Sequence, residues 1–236
     1  MNDVLYDRPE MFEAYARYRS EAGCKNDTIE QPAVRRLLPP LAGKRILDLG
    51  CGTGGFARYA LDCGADLVVG VDASSRMSAR ARTRLGTTAH AEILEQRIED
   101  FRWGGRPFDV IVSSLALHYV EPVDEVFRRC SEWIRPDGTL VLTVSHPLIT
   151  SLLGTNVSPF EKRDLWNTEG PRPHTWLVDN VVKYHRRPQT YLQYLTKSGF
   201  SVASAQSLGR LGIASCSPAG GESPLPDYAL LCARAH

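Results

Sequence analysis

Ile46-Leu47-Asp48-Leu49-Gly50-Cys51-Gly52-Thr53-Gly54-Gly55 is an apolar run that breaks abruptly into glycine. The apolar half suits a strand buried on both faces. The glycines let backbone pass very close to whatever is bound there, because no Cβ stands in the way. Two spacings coexist in this stretch: G-x-G-x-x-G through Gly50, Gly52 and Gly55, and G-x-G-x-G through Gly50, Gly52 and Gly54.

Outward from this stretch, short apolar runs alternate with amphipathic segments. Strands are expected at 45–49, 67–71, 91–96, 108–113 and 139–145, with helices at 54–63, 74–85 and 122–134 between them. Pro136-Asp137-Gly138 reads as a turn leading into the fifth strand. A helix at 188–198 stopped by Gly199, a strand at 200–205, a Gly/Ser/Pro-rich loop at 209–226 and a strand at 227–233 complete the pattern. The last two strands lack a helix between them, so they are expected to be antiparallel neighbours. Two helical pieces come first, one opened by Pro9 and one running from Asp27 or Thr28 to Leu38. The fold class is therefore α/β: a seven-stranded, mostly parallel, Rossmann-like sheet with helices on both faces and its last strand antiparallel. The span 146–183 shows no clean period and follows a strand directly, so it is read as a lid over the glycine loop.

Bulk properties narrow the class. With 236 residues, 43% hydrophobic and 23% charged, the chain suits one domain: a helical cap (1–43), a core (44–145), a lid insert (146–190) and C-terminal elements (191–236). A net charge of +1 creates no global field toward nucleic acid or an anionic membrane. Arg76, Arg80, Arg82 and Arg84, without interleaved aromatics, read as a solvated helix face. The N-terminus lacks an apolar core, and no run approaches the ~20 apolar residues that span a bilayer. The six cysteines form no C-x-x-C pair. The expectation is a cytoplasmic protein with a small-molecule partner, no nucleic acid, no membrane and no metal.

The ligand of the glycine loop turns on charge. In dinucleotide enzymes such a loop seats a pyrophosphate at a helix N-terminus, and an acid ~20 residues on binds ribose. Asp72 meets the ribose requirement for a dinucleotide or for S-adenosylmethionine alike. Asp48, two residues before the first glycine, would repel a pyrophosphate but attract a sulfonium carrying an α-ammonium group. S-adenosylmethionine is favoured over NAD(P).

With ILDLGCGTG come GVDAS (70–74), RIEDF (97–101), FDVIVSSLALHYV (108–120) and IRPDGTLVLTV (134–144), in that order. Over residues 44–145 the chain thereby resembles the class I S-adenosylmethionine-dependent methyltransferases, specifically their small-molecule group. The resemblance implies that the backbone of Gly50, Cys51, Gly52 and Thr53 lines the methionine part, with Asp48 nearby. It puts Asp72 on the ribose hydroxyls, Ala73 and Met77 against the adenine, and Ile98 and Glu99 at the ring's edge. Ser113, Ser114 and Leu115 would border the sulfonium; Tyr15, Tyr18 and Arg19 would cover the carboxylate end. The chain departs from the family at Arg97, where an acid is common.

On the acceptor side, His118 and His146 follow strands four and five and are candidate general bases. Tyr119, Trp166, Trp176, Tyr184 and His185 are candidate substrate contacts. The expected activity is methyl transfer from S-adenosylmethionine to an O, N or S atom of a small metabolite, including those of specialised biosynthesis, releasing S-adenosylhomocysteine. The alternatives are an NAD(P)-dependent oxidoreductase and a catalytically silent S-adenosylmethionine-binding protein.

Overall fold

The computed structural model describes residues 4–154, 162–209 and 226–236. Helices α1 (Pro9–Ser20) and α2 (Gln31–Leu37), linked through a wide helical turn at Asn26–Glu30, precede β1 (Arg45–Leu49). Then come α3 (Gly55–Asp62), β2 (Leu67–Asp72), α4 (Ser75–Leu85), β3 (Ala91–Glu95), β4 (Phe108–Ser114), α5 (Val123–Trp133) and β5 (Ile134–Ser145). Short helices α6 (Pro147–Ser151) and α7 (Lys162–Asn167) lead into β6 (Gly170–Trp176) and β7 (Val178–His185). The described chain closes with α8 (Pro188–Lys197), β8 (Phe200–Leu208) and β9 (Tyr228–Ala235).

Successive side chains of a strand face opposite ways, and in β1 both directions are apolar. Ile46 joins a layer with Ala33, Val34, Phe56 and Ala57 from α2 and α3. Leu47 and Leu49 join the opposite layer with Phe127 of α5 and Leu195 of α8. Helices thus cover both faces of a seven-stranded sheet ordered β3-β2-β1-β4-β5-β9-β8. Neighbours are parallel except β9, which runs antiparallel to both β5 and β8. From β1 the order proceeds one way to β2 and β3 and the other way to β4 and β5. Loops leaving the carboxyl ends of β1 and β4 therefore diverge and open a crevice.

Three elements differ from expectation. The Pro136-Asp137-Gly138 turn lies inside β5, where Asp137 takes a φ of 60°. The ladder to β4 slips there, with Phe108 opposite Ile134 but Val110 opposite Thr139. Strand β8 runs on to Leu208, beyond the expected end at 205; loop residues 210–225 lie outside the described residues. The largest difference is the insert, where β6 and β7 form a separate antiparallel hairpin turning at Leu177, φ 63°. Among the described residues no helix is long and apolar enough to cross a membrane.

Candidate active site

The crevice is a cavity of about 710 Å³, inside the ~300–1,000 Å³ range of small-molecule sites. Its floor is the glycine loop. Gly50 N and Cys51 N both donate to Val71 O, at 2.8 and 3.0 Å. Gly50 sits at φ +79°, and a Cβ there would stand 2.2 Å from Ala116 Cβ. The loop can lie flush against the segment after β4 only because this residue is glycine.

Two carboxylates face the cavity from neighbouring strand ends. Asp72 Oδ2 accepts from Gly52 N at 2.8 Å, and Oδ1 accepts from Ser74 N at 2.9 Å. Each oxygen keeps a lone pair for a further donor. Asp48 is 1% exposed, and neither of its oxygens has a hydrogen-bond partner. Burial, then the neighbouring carboxylates of Asp72 and Glu30, push its pKa up to about 8. An unpartnered buried carboxyl costs stability unless something else is bound there. The floor is built for a cation.

The roof comes from the N-terminal cap, tied down by two acids. Glu30 Oε1 accepts from Ser114 Oγ (2.8 Å) and Thr143 Oγ1 (2.5 Å), and Gln31 Nε2 donates to Oε2 (2.8 Å). Asp7 caps the start of α4, accepting from Ser74 Oγ at 2.7 Å and Arg76 N at 3.2 Å. Tyr6 is thereby held edge-on to Tyr15 and Tyr119, with ring centres 5.2 and 6.2 Å apart.

The far wall is more basic. Ser145 N donates to His118 Nδ1 at 3.1 Å, which places the proton of the neutral ring on Nε2. Burial, followed by the charge of Lys183, holds this imidazole well below its ordinary pKa. Lys183 Nζ donates to Ser145 Oγ at 3.0 Å and lies over Trp176 (5.0 Å) and Tyr119 (5.8 Å). Its pKa is lowered to about 8 by burial.

A methyltransferase-domain family model matches residues 46–138, the segment that builds this floor. The crystal structure of an S-adenosylmethionine-dependent methyltransferase from Mesorhizobium loti is 35% identical, with a TM-score of 0.73 over 87% of this chain and 97% of that one. The chain belongs to the class I S-adenosylmethionine-dependent methyltransferases. A putative methyltransferase of this type from Listeria monocytogenes is also similar: 29% identical, TM-score 0.73, covering 88% of this chain and 98% of that one. The ubiquinone biosynthesis O-methyltransferase of Sinorhizobium medicae is 30% identical over 166 residues, spanning 70% of this chain and 62% of its own length. The cofactor of the methyltransferase is S-adenosylmethionine, and the orphaned Asp48 carboxyl beside a glycine loop fits that cation.

Most sequence-predicted residues of the methyltransferase meet in the one cavity. Tyr15, Tyr18, Arg19, Asp48, Gly50, Cys51, Gly52, Thr53, Asp72, Ala73 and Met77 line it. So do Arg97, Ile98, Glu99, Ser114, Leu115, His118, Tyr119 and Trp176. Arg19 is paired with Asp27 at 2.6 Å, and Arg97 with Glu99 at 3.2 Å. Ser113 is fully buried beneath the site, its Oγ donating to Leu49 O.

Four predicted residues lie elsewhere. His146 accepts from Leu148 N through Nδ1, capping α6, and its Nε2 donates to Ser207 Oγ at 3.0 Å. The ring is a structural bridge away from the cavity. His185 is buried between Thr150 Oγ1 (2.8 Å) and Trp166 O (3.1 Å), with the Trp166 ring packed beside it. Tyr184 points its hydroxyl to Glu121 on the outer surface. Tyr6 and Lys183, which line the cavity, and Glu30, which braces its roof, are not among the residues expected from the sequence.

Proposed function

We propose that the methyltransferase transfers its methyl group to a small-molecule acceptor held between the cofactor floor and the β6–β7 hairpin. The observation that carries this reading is the cavity itself. One space joins the acidic floor at Asp48 and Asp72 to a compartment walled by Tyr6, Tyr119 and Trp176. Its mixed aromatic and polar lining suits a metabolite-sized guest, and the near-zero net charge supplies no track for a polynucleotide. The relation to a ubiquinone biosynthesis O-methyltransferase points the same way.

When bound, the cofactor supplies a methyl group activated by a sulfonium. Gly50–Thr53 and Asp48 would hold its methionine part, Asp72 its ribose, and Ala73, Met77 and Ile98 its adenine. The protein's work is then alignment and exclusion of water. The roof of Tyr6, Tyr15 and Tyr18, joined to Trp176 by edge contacts of 6.3 and 6.2 Å, supplies the exclusion.

The orientation of His118 separates its role from that of a base. Because Nδ1 accepts from Ser145 N, Nε2 already carries a proton and acts as a donor. Incubation of the protein with S-adenosylmethionine and fractionated metabolite pools, or with bulk tRNA, tests the reading by release of S-adenosylhomocysteine. Turnover confined to a low-molecular-weight fraction is expected; turnover with tRNA alone would overturn it.

A further inference from the structure

Lys183 is 9% exposed, lines the cavity and has no carboxylate within ion-pairing distance among the described residues. A buried ammonium without a counter-charge is costly, and nothing in the fold requires a cation on this strand: the preceding inward position of β7 is the apolar Val181. Lys183 spends one N–H on Ser145 Oγ, whose residue also donates its backbone N–H to His118. Ser145 is thus the shared partner of both side chains, through its Oγ to Lys183 Nζ and through its backbone N–H to His118 Nδ1, and both residues line the same cavity. The rings of Trp176 and Tyr119 lie against the lysine. Of the acids lining the cavity, Asp48 and Asp72 stand at the cofactor floor, at the carboxyl ends of β1 and β2, while Asp27 and Glu99 are paired with Arg19 and Arg97.

We propose that Lys183 and His118 form an oxyanion seat, and that the methyl acceptor is an oxygen acid, a phenol or carboxylic acid, bound through the oxygen to be methylated. This rests on the small-molecule reading above and names its substrate class. An uncharged Lys183 amine takes the proton of the acceptor's O–H and becomes an ammonium. The oxygen keeps the electron pair that would form the bond to the methyl carbon as the methyl–sulfur bond breaks, the pair of that bond going to sulfur and S-adenosylhomocysteine leaving as a neutral thioether. His118 Nε2–H donates to the same oxygen and transfers nothing. Once methylated, the oxygen is neutral and no longer pairs with the ammonium, which favours release; Lys183 returns its proton to solvent. The groups bearing on Lys183 are Tyr119 and His118 from the turn after β4, His174 and Trp176 from β6 and Ser145 from β5. None of them is an acid of the carboxylate kind.

The test uses 4-nitrophenol, whose phenolate absorbs visibly, added to the full-length protein saturated with S-adenosylhomocysteine. The expected result is preferential binding of the phenolate by at least about tenfold, read as a fall of about one unit in the phenol's apparent pKa. Lys183→Met should abolish the shift and leave S-adenosylhomocysteine affinity, measured by calorimetry, within about twofold of wild type. Lys183→Arg, which keeps the charge but cannot serve as base, should preserve the shift. Absence of a shift in the wild type, or an equal shift in Lys183→Met, would overturn the oxyanion seat. Failure of the wild type to bind S-adenosylhomocysteine at all would count instead against the function proposed above.

Discussion

Asp48 carries the most charge-sensitive statement in the molecule, because its carboxyl is buried with no internal partner. Its pKa in the folded chain, about 8, lies above that of an unfolded aspartate. The stability present in acid is therefore lost as pH rises from ~4 through about 8, where the folded state must ionise a buried group. Asp48→Asn removes that cost. The variant should unfold a few degrees higher than wild type at pH 8.5 while binding S-adenosylmethionine at least about tenfold more weakly; thermal melts and calorimetry on the same samples check both halves. Gly50→Ala is the steric counterpart. It places a methyl 2.2 Å from Ala116 Cβ at a positive φ, which costs about 1–2 kcal/mol in backbone strain alone. Cofactor binding should fall sharply with circular dichroism unchanged, and adding Ala116→Gly should restore part of it. Both residues were legible in the sequence: Gly50 by spacing, Asp48 by its charge in front of the loop. The direction of His118's proton was not, because it depends on which backbone N–H, that of Ser145, reaches Nδ1.

At the level of elements, strands buried on both faces announce themselves as unbroken apolar runs, and β1, β2 and β4 were readable for that reason. The β6–β7 hairpin was not. Strand β6 carries Pro171 and Pro173, which demote a run from strand status; a two-stranded hairpin has only edges, and there prolines are tolerated. In β7 the inward positions are Val181, Lys183 and His185, so polar residues occupy the buried face and erase the alternation that marks a strand. The same substitution of polar for apolar is what brings Lys183 to the cavity. The cap shows a related blindness: Glu30 sits amid polar residues in sequence, yet is fully buried and holds the hydroxyls of β4 and β5. Glu30→Ala strands those hydroxyls and should destabilise the fold by about 2–4 kcal/mol, seen as a lower urea midpoint. The same variant should bind S-adenosylhomocysteine more weakly, since Tyr15 and Tyr18 ride on the loosened cap.

Across the whole molecule, two kinds of charge stand apart within one cavity: Asp48 and Asp72 at the carboxyl ends of β1 and β2, and Lys183 on the hairpin, while Arg19 and Arg97 on its lining are paired with Asp27 and Glu99. A near-neutral chain thereby presents opposite local fields at two places in one cavity, one suited to a cationic cofactor and the other to the oxygen acid proposed as acceptor. The division makes cofactor affinity depend on pH. Below about 8 the Asp48 carboxyl is largely protonated, so a cation must displace the proton to bind, and affinity should rise with pH and level off above that value. The most direct measurement is calorimetric titration with S-adenosylmethionine near pH 7 in two buffers of different ionisation enthalpy. The expected result is release of close to one proton on binding to the wild type and almost none on binding to Asp48→Asn. Equal proton release by both proteins, or none from the wild type, would contradict the assignment of Asp48 as the acid that receives the cofactor's charge.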